Sequence, residues 1–273
     1  MKKIPSLGLY LVLTFTISYG VWGIYILGQW VGLFSADSNW LIPFLMIGAN
    51  APPTAAYVVL KRADKDFSFK RFIKLALNVK QKPLYYAFAV FIIALSFAIP
   101  AVTSGLGTGF IPGLETQGIT ESMPLYMTLL GIPLMFFVGG SEEIGWRGVL
   151  QPELEKRLSF IPTAFVISVI WTLWHIPLWF IAGSAQADVN FGLFFIMCIG
   201  LSFAFTAVRR VSGSVFLCVL MHCAINSLQG TWTVKDDLLT RTSTTLVLIA
   251  FSLIIIFWHN KSQKRKNVEH DFE

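Results

Sequence analysis

Eight long apolar runs, joined by short polar connectors, set the limits on what this chain can become. They cover residues 7–27, 40–60, 83–102, 125–150, 160–182, 191–208, 212–228 and 242–259. About 20 predominantly apolar residues suffice for one helix to cross a bilayer. Hydrocarbon offers no water to backbone amides, so a crossing segment of this kind must bond to itself as an α-helix. Only 13% of the residues are charged, about half the usual soluble share of roughly 25%, too few to coat a globule of this size. The expectation is an all-α, polytopic membrane bundle of about eight helices forming a single membrane domain over 1–273.

The net charge of +6 could suggest nucleic acid as a partner, but the placement of the basic residues argues otherwise. With alternating spans, 19 of the 21 Lys and Arg residues fall on one side, and only Lys235 and Arg241 on the other. That is the positive-inside pattern, and it predicts a cell-membrane protein with both termini cytoplasmic. The start, Met1-Lys2-Lys3 and an apolar run, has no clear small-residue cleavage site and is read as a retained first span. Residues 67–82 are short, basic and amphipathic, which predicts a helix along the cytoplasmic surface. The Gly-rich connector 103–121 reads equally as a gate or a plain link. Asn50, Pro52 and Pro53 predict a kink in the second span. Cys198, Cys218 and Cys223 lie inside apolar runs and read as small core residues rather than disulfide partners.

Against this background a few polar residues stand out, because a titratable group inside a membrane costs roughly 2.5 kcal/mol or more unless paired or hydrated. In Ser141-Glu142-Glu143-Ile144-Gly145-Trp146-Arg147, Glu143 and Arg147 are four apart and share a helix face. Glu142 points about 100° away, without that partner. One carboxylate is therefore expected to anchor and the other to move a proton. In Trp171-Thr172-Leu173-Trp174-His175 the histidine is placed well inside the fifth span, and His222 and Asn226 share a face of the seventh. Each cluster has a plainer reading: a solvated helix end, a hydrogen-bonded core histidine, or an interhelical polar contact.

Register links the clusters. Glu142 lies 17 residues before Ser159 and His175 lies 16 after it. If the fourth and fifth spans form a helical hairpin, with the fourth running unbroken through Glu153, the two residues are level. A carboxylate and an imidazole flanking a water form a general-base pair, and His222 and Asn226 can donate to a developing oxyanion. A zinc variant would use Glu142, His175 and His222. The helical zinc signature H-E-x-x-H is absent, so water activation with no cofactor is favoured.

Glu142-Glu143-x-x-x-Arg147, Trp171-x-x-x-His175 and His222-x-x-x-Asn226 together resemble the CAAX-protease and bacteriocin-processing family, related to the type II CAAX prenyl endopeptidases. The similar region covers 124–229, read as the catalytic core. The resemblance implies an eight-helix intramembrane endopeptidase. The positions of Glu142 and His175 would activate water, and those of His222 and Asn226 would stabilise the oxyanion. It leaves metal dependence open, and implies a membrane-associated peptide or protein substrate, from prenyl proteins to bacteriocins and self-immunity. The second motif often begins with phenylalanine; Trp171 is expected to fill the same packing role. The rival readings are a proton-coupled transporter and a catalytically silent membrane scaffold. A transporter predicts internal inverted repeats, and none is visible.

Overall fold

Helix starts are written into the local sequence. The Ser6 side chain accepts from the backbone N–H of Leu9 at 3.3 Å and opens α1 (Leu7–Trp30). Asn190 accepts from the N–H of Leu193 at 3.1 Å and opens α10 (Phe191–Ser212), which Gly213 ends at a φ of +69°. Both ends use side chains or glycine to satisfy backbone groups that the helix itself leaves open. The computed structural model describes residues 6–105, 125–229 and 236–270, and every regular element among them is helical.

The order continues with α2 (Leu41–Ala49), α3 (Ala51–Ala63), α4 (Phe69–Ala76), α5 (Pro83–Gly105), α6 (Leu125–Leu134), α7 (Glu142–Gly145), α8 (Gln151–Glu155) and α9 (Phe160–Trp174). After α10 come α11 (Val215–Gln229) and α12 (Leu238–His270). Six helical segments among the described residues are long and apolar enough to cross a bilayer: 7–30, 41–63, 83–103, 160–180, 191–212 and 238–263. The other two expected spans differ in kind. Helix α11 has only 15 residues, and residues 125–155 form a broken path.

The break corrects one expectation. Residues 125–150 do not form one straight helix; α6 ends at Leu134, and the chain leaves helical geometry at Gly139, with φ 164° and ψ −44°. Beyond the break the chain is helical again from Glu142 to Glu155, with a wider π-type turn at Trp146–Leu150. The second span breaks too. Asn50 joins α2 to α3 with a non-helical φ/ψ of −90°/8°. Its amide bridges the two breaks: Nδ2 donates to the Phe137 carbonyl at 2.9 Å, and Oδ1 accepts from Ser141 Oγ at 2.8 Å.

Helix α11 sits centrally, against α4, α5, α6, α7 and α10, while α10 lies between α9 and α12. Val12, Leu27, Leu130, Phe257 and Trp258 point outward and are exposed, as a lipid-facing belt requires. The three cysteines are buried and unpaired. The amphipathic segment forms a helix over 69–76, shorter than the expected 67–82, capped by Ser68 and seated by Phe72 against Tyr57. Nearly all of the Gly-rich connector lies outside the described residues.

Candidate active site

Placing a glutamate at the start of a helix inside an apolar bundle requires partners, and Glu142 has two. Its Oε2 accepts from the indole N–H of Trp171 at 2.9 Å and from that of Trp146 at 3.3 Å. The tryptophan that opens the second motif therefore does more than pack; it holds the carboxylate, which phenylalanine could not do. Trp146 has no part in the sequence argument, although Glu142 and Trp146 are four apart on one face.

Glu143 turns the other way and is fully buried. Arg147 Nε donates to Glu143 Oε2 at 2.8 Å, as the spacing predicts. The second oxygen, Oε1, takes His222 Nδ1 at 3.0 Å, a link across 79 residues that the sequence gives no means to foresee. Arg147 also reaches Thr206 Oγ1 at 3.3 Å and lies over the Phe205 ring. A buried carboxylate between a guanidinium and an imidazole is well compensated, and it fixes the imidazole's orientation.

His175 is not mid-helix. It caps the end of α9, where Pro177 and a short 3₁₀ turn (Ile176–Phe180) redirect the chain. Its Nδ1 bonds to the Trp171 carbonyl at 2.7 Å. A carbonyl cannot donate, so Nδ1 carries the proton and Nε2 is left with a lone pair when the ring is neutral. Helix α1 fixes this corner: Gln29 exchanges two 3.0 Å hydrogen bonds with the Ala182 backbone, and Ser18 accepts from Trp174 Nε1 at 2.7 Å. Trp174 and Phe194 close on the His175 ring, with centroids at 4.7 and 5.0 Å.

The groups meet at Gly139. A methyl carbon built on this glycine would lie 2.7 Å from Asn226 Nδ2, 3.3 Å from His222 Nε2 and 3.6 Å from Glu142 Oε1. These are its three nearest neighbours outside the adjoining chain, and all are polar atoms of the sequence motifs. The free oxygen of Glu142, the free nitrogen of His222 and the Asn226 amide therefore converge on one point. That point borders a cavity of about 400 Å³ lined by Glu142, Trp171, His175, Phe205, His222 and Asn226 among others. Of the six residues singled out from sequence, four line the cavity: Glu142, His175, His222 and Asn226. The other two, Glu143 and Arg147, stand behind His222 as support.

The zinc set can be tested against these contacts. His175 and His222 both spend Nδ1 on protein partners, and Glu142 spends Oε2 on two indoles. Among the described residues no three His, Cys, Asp or Glu side chains are grouped as metal ligands. The bonds to Nδ1 and Oε2 leave His175 Nε2, His222 Nε2 and Glu142 Oε1 uncommitted, and those are the atoms a zinc ion would take, since a histidine ligand is normally held through its other nitrogen.

Comparison with known proteins agrees with the geometry. The family described as type II CAAX prenyl endopeptidase Rce1-like matches residues 122–228, which contain all three motifs. Over 262 residues the chain is 24% identical to a CAAX prenyl protease 2 of Methanococcus maripaludis, covering 90% of this chain and 92% of that protein. Three motifs in order, within a matched family region and alongside a relative aligned over nearly the whole length, make this polytopic membrane protein similar to the Rce1-like CAAX proteases.

Proposed function

We propose that this chain is an intramembrane endopeptidase that hydrolyses a peptide bond of a membrane-associated peptide or protein. The observation that carries the reading is the convergence of Glu142 Oε1, His222 Nε2 and Asn226 Nδ2 beside Gly139, at the wall of a cavity inside the bundle. The family match over residues 122–228 and the relative's name as a prenyl protease support the reaction class.

In this mechanism a water sits between Glu142 and His175. The His175 Nε2 lone pair orients it, and Glu142 Oε1 takes its proton. The hydroxide oxygen attacks the peptide carbonyl, and the carbonyl oxygen becomes the oxyanion. Asn226 Nδ2 donates to that oxygen. His222, held through Nδ1 by Glu143, adds an Nε2–H when its ring is doubly protonated. Collapse breaks the C–N bond, and the amine leaves with the proton from Glu142. No step passes through a metal.

The test is a cleavage assay in liposomes with a peptide library, comparing wild type, Glu142→Ala and His175→Ala. Both substitutions should abolish cleavage. Cleavage indifferent to either would overturn the mechanism, and loss of activity on chelation would favour the zinc variant. Solute flux without cleavage would favour transport.

A further inference from the structure

Helix α4 carries three strips of side chains, each set by four-residue spacing. Phe72 and Ala76 form the buried strip, with Phe72 against Tyr57 of α3. Phe69, Ile73 and, just past the helix end, Leu77 form an apolar strip that stays 60%, 39% and 48% exposed. Lys70 and Lys74 form the third strip, and both are exposed. At about 100° per residue, the exposed apolar strip lies between the buried one and the basic one.

The charge is one-sided. Residues 67–82 hold Lys70, Arg71, Lys74, Lys80 and Lys82 and no Asp or Glu. Asp64 engages Arg71 at 3.0 Å, and Asp66 is exposed in the turn before the helix. Lys61, Arg62 and Lys65, all exposed, add to the basic side. The helix is also held at one depth: five residues link it to the span 41–63 and six to the span 83–103. It therefore lies at the bilayer surface, with apolar side chains beside lysines whose stems can carry their ammonium groups to lipid phosphates.

The far side of α4 reaches toward the site. Leu75 Cδ2 lies 3.4 Å from where a Cβ on Gly148 would stand, and Gly148 follows Arg147 in the wide turn 146–150. Arg147 holds Glu143, and Glu143 holds His222. A helix of eight residues is marginal on its own, so the surface beneath it decides how firmly it forms.

Resting on the endopeptidase reading for its catalytic half, we infer that α4 docks on the acidic phospholipid headgroups of the leaflet it faces. Docking firms the helix, and Leu75 passes that packing to the turn bearing Arg147, so that acidic lipid raises turnover. A soluble acidic partner would meet the lysines, but a helix fixed at the bilayer surface, with Phe69 and Ile73 uncovered beside them, fits a lipid leaflet better.

The experiment places the full chain in vesicles of phosphatidylcholine alone, or of equal parts phosphatidylcholine and phosphatidylglycerol. Docking is read from Ile73→Cys carrying an environment-sensitive fluorophore; Ile73 is exposed and the native cysteines are buried. Its emission should shift to the blue in the acidic vesicles, and Lys70→Gln/Lys74→Gln in the same chain should remove the shift. Turnover is read without the label, on an uncharged peptide that the vesicle charge does not attract. Wild type should cleave about fivefold faster in the acidic vesicles, the weight of one lysine at an acidic surface. Lys70→Gln/Lys74→Gln should lose that rise and keep the rate seen in phosphatidylcholine. Leu75→Ala should keep the emission shift of the labelled chain and lose the rise. Equal emission in the two vesicles, or a shift that survives loss of both lysines, overturns the docking. A rise that persists in Leu75→Ala, or no rise in a wild type that docks, overturns the coupling. If no preparation cleaves, the endopeptidase reading fails, and the fluorescence still decides whether α4 binds acidic lipid.

Discussion

Gly139 and Gly140 are neighbours with opposite predicted phenotypes, and the pair tests where the chemistry sits. In Gly139→Ala the new methyl would occupy the point shared by Asn226 Nδ2 at 2.7 Å, His222 Nε2 at 3.3 Å and Glu142 Oε1 at 3.6 Å. The tightest contact is with the far end of a side chain, which can rotate away. Stability should fall by about 1 kcal/mol or less, as for a substitution with a yielding neighbour. The reacting oxygen would lose its place against at least one donor, and losing one such donor costs about 10²–10³ in kcat, roughly 3–4 kcal/mol. In Gly140→Ala the methyl meets Cys223 Sγ head-on, with the Met135 and Val219 carbonyls behind it at 3.4 Å. Overpacking of this kind costs about 1–3 kcal/mol of stability. Cys223→Ala in the same chain removes the obstructing sulfur and should restore it, a coupling a double-mutant cycle reads directly. The assay is liposome cleavage alongside thermal unfolding in detergent. A folded Gly139→Ala protein with wild-type turnover would refute the assignment of the reaction to this point.

Trp171→Phe keeps an aromatic ring but removes the 2.9 Å donor to Glu142; turnover should drop by the equivalent of about 1–3 kcal/mol, with little change in Tm. Glu143→Gln leaves Arg147 buried without its anion; unfolding should come about 3–5 kcal/mol more easily, and an unchanged Tm would contradict the pairing. Asn50→Ala removes both bonds between the broken second and fourth spans. It should lower the unfolding free energy by about 1–3 kcal/mol for each polar group left unpaired, seen as a lower Tm, and reduce turnover as well. A loss of Tm alone would separate the brace from the site.

Much of the bundle was legible because spans are set by the length and apolarity of continuous runs, which a sequence states directly. The Glu143–Arg147 pair was legible for a similar reason, since four residues along a helix bring two side chains together. What escaped were relations between distant elements. The bond from Glu143 to His222 crosses 79 residues, and that from Trp171 to Glu142 crosses 29. No periodicity encodes either one. The break at Gly139 was hidden for another reason: a long apolar run reads the same whether it is one helix or two. The Gly139-Gly140 pair was the available signal, since two adjacent glycines inside such a run weaken a helix by about 1 kcal/mol each relative to alanine.

The breaks and the site share one physical cause. A straight helix closes its own backbone bonds and presents side chains in a fixed spiral, so it cannot let another helix's polar atoms approach its axis. Interrupting the fourth span at Gly139 removes both limits: the missing Cβ lets Asn226 and His222 come close, and the turn aims Glu142 at the same place. A break exposes backbone groups that lipid cannot satisfy, so it must be buried and bonded. Asn50 does this at the Phe137 carbonyl, and it can reach because its own span is interrupted at the same depth. Repairing either break, by placing a good helix former at Asn50 or at Gly139, should therefore disturb the site from opposite sides.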